Sequence, residues 1–405
     1  HEWPGPDMAK STQRLDLVGF VAAFGVHFNG GEYDSSAPSG TMVPERIPHV
    51  DETTGVSFSL VQQFPCSVCR QLLFFENSKC LRCGTEVGYL PEAAQVVALQ
   101  AVGFRFERVD GLPGSYRHCS NRGVARCNWM ISDDDRVDRC QSCRLTSVRP
   151  NDTELNSLEA FADAEAAKRR LLHQLMALGL PVVDRSDDVV RGVAFELLSA
   201  RGRNVITGHD SGVITLDLSE SDDAHREFVR QQLGEPYRTV LGHLRHEIAH
   251  YYWPSLIEQN GHVTEFRRMF GDERESYDAA LVRYYAQDDA DWSGSHVSKY
   301  ATMHPWEDWA ETFAHYLHIH AGLATAESIG LAVGEPAQSA GRQAWTTRDH
   351  ITIGEMVQLW LGLTLALNAM SRSIGQPDLY PFVISPEVVE KLDFVHRCIQ
   401  AAVES

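Results

Sequence analysis

The spacing of apolar residues divides the chain into regions of different character. Residues 1 to about 58 mix glycine, serine, proline and acidic residues with no sustained period beyond one apolar run, Leu15 to Phe24, and are expected to form a loosely ordered extension. From Phe64 to Tyr89, and again from Val97 to Pro150, the chain is turn-rich and dense in cysteine, too short in each piece to bury a core unaided. After Pro150 the period becomes helical. Leu155 to Leu178 carries apolar residues three and four apart behind Asn151 or Asp152 as a cap, and helices are expected at about 223–233, 236–252, 272–286, 305–320, 351–373 and 386–402. Two strands are expected among them, Val190 to Leu198 and Gly212 to Leu218, the second with alternating apolar positions. The fold class is therefore α+β, mainly helical with a small sheet.

Composition narrows the function classes. A chain of 405 residues exceeds one typical core, so several folded units are expected. The formal net charge of -19 disfavours a broad phosphate-binding face, which makes nucleic acid a poor first partner. No stretch of about 20 uncharged apolar residues occurs, and Leu359 to Met370 is too short to span a bilayer, so no membrane crossing is expected. The run Leu15 to Phe24 is read as part of the extension rather than as a signal-peptide core, because Arg14 lies deep in the chain and no small-residue cleavage site follows.

Eight of the nine cysteines fall in sets with metal-ligand spacing, which needs thiolates and points to a reducing cytoplasm. Cys66-Ser67-Val68-Cys69 and Cys80-Leu81-Arg82-Cys83 are two knuckles ten residues apart, a structural-zinc pattern that a redox dithiol or a four-sulfur iron site would share. Cys119, Cys127, Cys140 and Cys143 form a second set with an unusual first gap, and His118 is a possible substitute. Each is assigned one structural zinc and a folding role. Cys398, among Val388, Leu392, Val395 and Ile399, is a buried thiol. The expected units are the extension at 1–58, a zinc ribbon at 59–92, a second four-cysteine module at 93–150, and a domain at 151–405.

Two histidines four apart on a helix lie about 40° apart around the axis and one turn apart along it, so both imidazoles can reach one ion. His246 and His250 have that spacing, and Glu247 between them can activate water at the metal. Thr239, Val240, Leu244, Ile248, Ala249 and Tyr252 supply the helical period, Pro254 is expected to stop the helix, and the strand at 212–218 is expected to be the substrate-binding edge. A catalytic zinc needs a third protein ligand and one open position. A third histidine from the same stretch is excluded, because the metzincin spacing falls on Leu256 and its glycine position on Trp253.

The segment from His304 to His315 offers a better source. Pro305 suits a first helical position, Trp306, Trp309 or Ala310, Phe313 and Leu317 form a core stripe, and Glu307, Glu311 and His315 line a neighbouring face. Glu307 is assigned as ligand, and Glu311 as acceptor of a hydrogen bond from a ligand imidazole. Glu273 and Glu275 are rival ligands, and Asp308 reads as a surface or helix-start charge. Tyr300 is placed to hydrogen-bond the oxyanion, or else is a buried tyrosine with a satisfied hydroxyl. His243 reads as a neighbour of the site or a solvated residue; His315, His318 and His320 read as structural.

These residues together resemble the bacterial zinc-binding metallopeptidase family with N-terminal zinc-ribbon modules. The matching stretches are Phe64 through Tyr89, Cys127-Asn128-Trp129, Cys140 to Leu145, His246 to Trp253, Phe270 to Glu273 and His304 to Tyr316. The likeness runs from about 60 to the end and implies a zincin-type metallopeptidase domain over 151–405. Glu307 to Glu311, with Trp309 and Ala310 inside and Tyr300 seven residues earlier, is also similar to the third-ligand region of anthrax lethal factor; that likeness implies Glu307 as ligand and Tyr300 as electrophilic helper. The expected activity is hydrolysis of a protein or peptide with one catalytic and two structural zinc ions. A zinc-ribbon adaptor with a silent or latent zincin domain is the alternative, and an arginine-rich nucleic-acid surface around Arg105 to Arg144 is weakened by Asp133, Asp134, Asp135 and Asp138.

Overall fold

The computed structural model describes residues 63–199, 205, 207–233, 235–286, 292–331 and 351–404. The expected extension at 1–58 lies outside them. All the described residues belong to one compact unit, Val56–Ser405.

The N-terminal part is built on strands. β1 (Gln63–Pro65) and β2 (Leu72–Phe74) form a hairpin around the first knuckle. β3 (Glu86–Leu90), β4 (Gln95–Val102), β5 (Arg105–Arg108), β6 (Ser115–His118) and β7 (Met130–Ser132) form an antiparallel meander in that order. The expected boundary at 92/93 therefore falls in the turn between β3 and β4, which pair from Glu86↔Leu99 to Leu90↔Gln95, and both cysteine sets belong to one sheet-centred body. After α1 (Gln141–Arg144), β8 (Thr146–Val148) pairs parallel with β9 (Ala194–Leu198), so the sheet of the helical part begins before residue 151.

That sheet has the order β10-β11-β9-β8, with β10 (Gly208–Asp210) antiparallel to β11 (Val213–Asp217) and the others parallel. The segment expected as the substrate edge, β11, is interior; among the described residues the edge strands are β8 and, beside β11, β10. Ser211 and Gly212, both at positive φ (49° and 84°), form the two-residue turn that sets the Asp210↔Val213 register.

α2 (Leu155–Ala177) is the spine of the molecule. Its buried polar face binds the rest of the protein: His173 Nδ1 meets the Tyr89 hydroxyl at 2.8 Å, and Gln174 Nε2 donates to the Leu317 carbonyl at 2.5 Å. The main apolar core runs from Phe64 and Trp129 through α2 to Ile399, and a smaller cluster of Leu90, Val97, Leu99, Tyr116 and Met130 lies within the meander. The remaining helices are α3 (Asp223–Leu233), α4 (Val240–Trp253), α5 (Val263–Phe270), α6 (Tyr277–Ala286), α7 (Pro305–Ser328), α8 (Ile353–Ser373) and α9 (Pro386–Glu404). α4 and α7 pack together, and Trp309 Nε1 donates to the Ala249 carbonyl at 2.9 Å to fix their register.

Three expectations are revised here. The α-helix of α4 does end at Trp253, before Pro254, but the chain does not leave the helical path; it continues through a π-helical turn, Pro254–Glu258, closed by Gln259 N–H to the Pro254 carbonyl at 2.9 Å, because proline removes a donor while keeping helical φ. Trp306 is 40% exposed, so the core stripe of α7 starts at Trp309. α8, at 21 residues, is long and apolar enough by length and composition to cross a membrane, which qualifies the sequence reading; Met356, Val357, Trp360 and Leu363 are buried, while Leu365 and Met370 face outward.

His315 is buried and His318 and His320 are half-buried along α7, and desolvation lowers their pKa values to about 4, 3 and 4. A depressed histidine pKa means that the unfolded chain takes up the proton first, so stability present above pH 6.5 is lost as pH falls toward 4, by about 1.4 kcal/mol per pH unit for each such histidine. Urea unfolding at pH 7, 6 and 5 should show this slope, and a stability flat across that range would contradict it.

Candidate metal centre

Thr239 caps α4 by accepting the Gly242 N–H at 3.0 Å, and His304 caps α7 by accepting the Trp306 N–H at 3.2 Å with Pro305 in the first turn. The two capped helices bring His246, His250 and Glu307 together. His246 Nε2 lies 3.3 Å from His250 Nε2 and 2.9 Å from Glu307 Oε2, and His250 Nε2 lies 3.6 Å from the same oxygen. Donors about 2.0–2.1 Å from a tetrahedral ion stand about 3.4 Å apart, so the set has the span that zinc requires.

The other face of His246 is also fixed. Its Nδ1 is 2.7 Å from Glu311 Oε1, and the Ser298 hydroxyl donates to Glu311 Oε2 at 2.6 Å. Burial pulls the His246 pKa down, but hydrogen bonds to Glu307 and Glu311 overcome it and leave the imidazole well above its ordinary value. Burial likewise pushes Glu311 up, and His246 reverses this, bringing it to about 2. Glu247 is 8% exposed, and among the described residues it forms no ion pair. Burial raises its pKa against the pull of His246 and His250, the direction a proton acceptor needs.

Tyr300, in the turn Tyr300–Thr302, lies with its ring 5.9 Å from that of His246. Tyr300 is 38% exposed rather than a buried tyrosine, and partial desolvation of its hydroxyl first, then Glu307 and Tyr277, raises its pKa, so the hydroxyl stays protonated. Three neighbours were not anticipated. The Tyr277 hydroxyl donates to Glu307 Oε1 at 3.1 Å, Ser298 holds Glu311, and His209 on β10 stacks 6.3 Å from His250.

The rival carboxylates go elsewhere. Glu273 pairs with Arg267, at 2.9 Å from Nε, and Glu275 pairs with Arg283 at 2.8 Å. Asp308 is not a surface charge: it is 1% exposed and takes a 2.6 Å ion pair from Lys391 of α9, which ties that helix to the start of α7. His243 lies 3.9 Å from Glu220 and is not among the converging donors.

In each cysteine set the four sulfurs lie within 4.8 Å of one another. Cys66–Cys83, Cys69–Cys80 and Cys127–Cys140 are 3.8, 3.6 and 3.6 Å apart, near the edge of about 3.8 Å for a tetrahedron with zinc–sulfur bonds of about 2.3 Å, and far beyond a disulfide bond. His118 turns to Glu86 at 2.8 Å, leaving the second set all-sulfur. Cys140 N–H donates to Cys119 Sγ at 3.4 Å, and Cys143 Sγ is 3.8 Å from the buried Glu165, itself paired with Lys168.

The described residues thus hold a three-donor His–His–Glu set between packed helices and two four-sulfur sets, each with a donor chemistry and span that suit zinc. The chain belongs to the family described as "Putative zinc-binding metallo-peptidase", which matches residues 157–398, and a zinc-ribbon domain matches residues 63–154. Its general class is that of a zinc metallopeptidase. Uncharacterized proteins of Mycobacterium bovis and of two Mycobacterium tuberculosis strains are each 44% identical over 347 residues, covering 84% of this chain and 95% of the relative. No solved structure matches, so the likeness to anthrax lethal factor rests on its short segment alone.

Proposed function

We propose that this protein is a cytoplasmic peptidase of the glutamate-zincin type, hydrolysing peptide bonds at His246, His250 and Glu307. The observation that carries this reading is the convergence of those three donors on one point with Glu247, buried and, among the described residues, outside any ion pair, on the turn between the histidines. A zinc ion at these donors supplies Lewis-acid polarisation of the scissile carbonyl and acidifies water.

The chain's own groups do the rest. Glu247 takes the proton of the attacking water and passes it to the leaving amine. Tyr300 donates to the carbonyl oxygen as negative charge develops there. Glu311, braced by Ser298, holds His246 with its Nε2 toward the ion, and Tyr277 orients Glu307. The peptide lies along β10 as an added strand, beside His209 and His250. Two further zinc ions, at Cys66, Cys69, Cys80 and Cys83 and at Cys119, Cys127, Cys140 and Cys143, cross-link the ribbon body, and the nine free cysteines support a reducing compartment.

Glu311→Ala should weaken zinc at the His–His–Glu site by about 10–100-fold, measured by competition with a chromophoric chelator; an unchanged affinity would remove Glu311 from this role. The function itself is tested by incubating the zinc-loaded protein with a proteome-derived peptide library. The reading expects products that chelation abolishes and added zinc restores. A full complement of zinc with no product would favour a binding module.

A further inference from the structure

A cavity of about 430 Å³ lies between α2, α4, α7 and α8, and none of the converging metal donors lines it. Its residues on α7, from His318 to Ala326, stand seven to fifteen positions beyond Glu311, roughly 10–22 Å along the axis. The size is that of small-molecule sites. The walls are mainly apolar, and Trp360 lies so close to α7 that a Cβ on Gly322 would meet its ring at 2.4 Å.

One charge in this wall has no counterpart. Arg245 is 6% exposed, and its Nε and Nη2 both donate to the single oxygen Gln174 Oε1, at 3.2 and 3.1 Å. Among the described residues no carboxylate pairs with it. Arg170, the other cation of the lining, is already paired with Glu76 at 2.5 Å. A guanidinium buried without an anion is costly unless an anion arrives. The Thr325 and Thr364 hydroxyls donate to carbonyls of their own helices, whereas the Tyr237 hydroxyl accepts from Thr239 at 3.1 Å and keeps its own hydrogen to give. The donors left for a ligand are thus Arg245 and Tyr237, with the Trp360 indole N–H, which has no hydrogen-bond partner among the described residues, and the His318 imidazole beside them in the wall.

We propose that this cavity is a binding site for a monocarboxylate with an apolar tail, the carboxylate on Arg245 and Tyr237 and the tail against Trp360, Leu363 and Leu367. One uncompensated guanidinium matches one negative charge, and a carboxylate fits its fork. A phosphate dianion would meet a single free cation.

Calorimetric titration of the zinc-loaded full chain with octanoate, 1-octanol and octyl phosphate tests this in wild type, Arg245→Met, Leu367→Trp and His250→Ala. Octanoate should bind wild type and His250→Ala at one site, and bind Arg245→Met and Leu367→Trp at least tenfold more weakly. 1-Octanol should bind wild type at least tenfold more weakly than octanoate. If Arg245→Met does not fold, Leu367→Trp and the octanol comparison decide. The proposal is overturned if octanoate does not saturate one site on wild type, or if binding survives Arg245→Met unchanged. It is equally overturned if binding disappears with His250→Ala, which would place the carboxylate on the metal, or if octyl phosphate binds more tightly than octanoate.

Discussion

Glu247→Ala should lower the rate of peptide cleavage by about 10²–10⁴-fold and leave zinc content unchanged. The converging donors are His246, His250 and Glu307, so removing Glu247 takes away no ligand. What is lost is the one carboxylate that the α4 turn presents beside them without an ion-pair partner. Single-turnover cleavage of a peptide found in the library, with zinc counted in both proteins, checks this directly. A variant that loses zinc with activity would instead show that Glu247 holds the site together, and a variant with undiminished activity would remove it from the reaction.

The largest effect on stability should come from Cys140→Ser. All four sulfurs of that set are buried, and they lie against Glu165 and Lys168 of α2, the helix whose Gln174 reaches α7. Structural zinc contributes about 10–16 kcal/mol of apparent binding free energy, comparable with the roughly 5–15 kcal/mol that holds a domain folded. The variant should lose one zinc and its cooperative melting. Cys83→Ser makes the contrast, because Cys83 is exposed and its set joins the β1–β2 turn to the turn before β3, away from α2; one zinc should leave with little change in the melting of the helical part. Equal damage from both substitutions would contradict the role given to α2.

The parts of the site legible in the sequence are those that one helix encodes by itself. His246, Glu247 and His250 declare themselves by a spacing of four, and Glu307 and Glu311 by the same spacing behind Pro305. Residues brought in across the fold left no such mark. Tyr277 reaches Glu307 from 30 residues away, and Lys391 reaches Asp308 from 83, so Asp308 read as a surface charge. β10 is three residues long and mostly polar, and its one signal was the Ser211-Gly212 turn, too short to show which strand stands at the edge. The joining of the two cysteine sets was hidden for a similar reason: the turn after Leu90 that pairs β3 with β4 looks like a boundary until the ladder is seen.

The central claim is that His246, His250 and Glu307 hold a zinc ion distinct from the two in the cysteine sets. The most direct measurement is zinc content per chain, by mass spectrometry on desalted protein, in wild type and in the double variant His246→Ala, His250→Ala. The account expects close to three ions in wild type and close to two in the variant, with the fold intact by circular dichroism. Two ions in both proteins would contradict it, leaving the histidines and Glu307 as a hydrogen-bonded cluster without a metal.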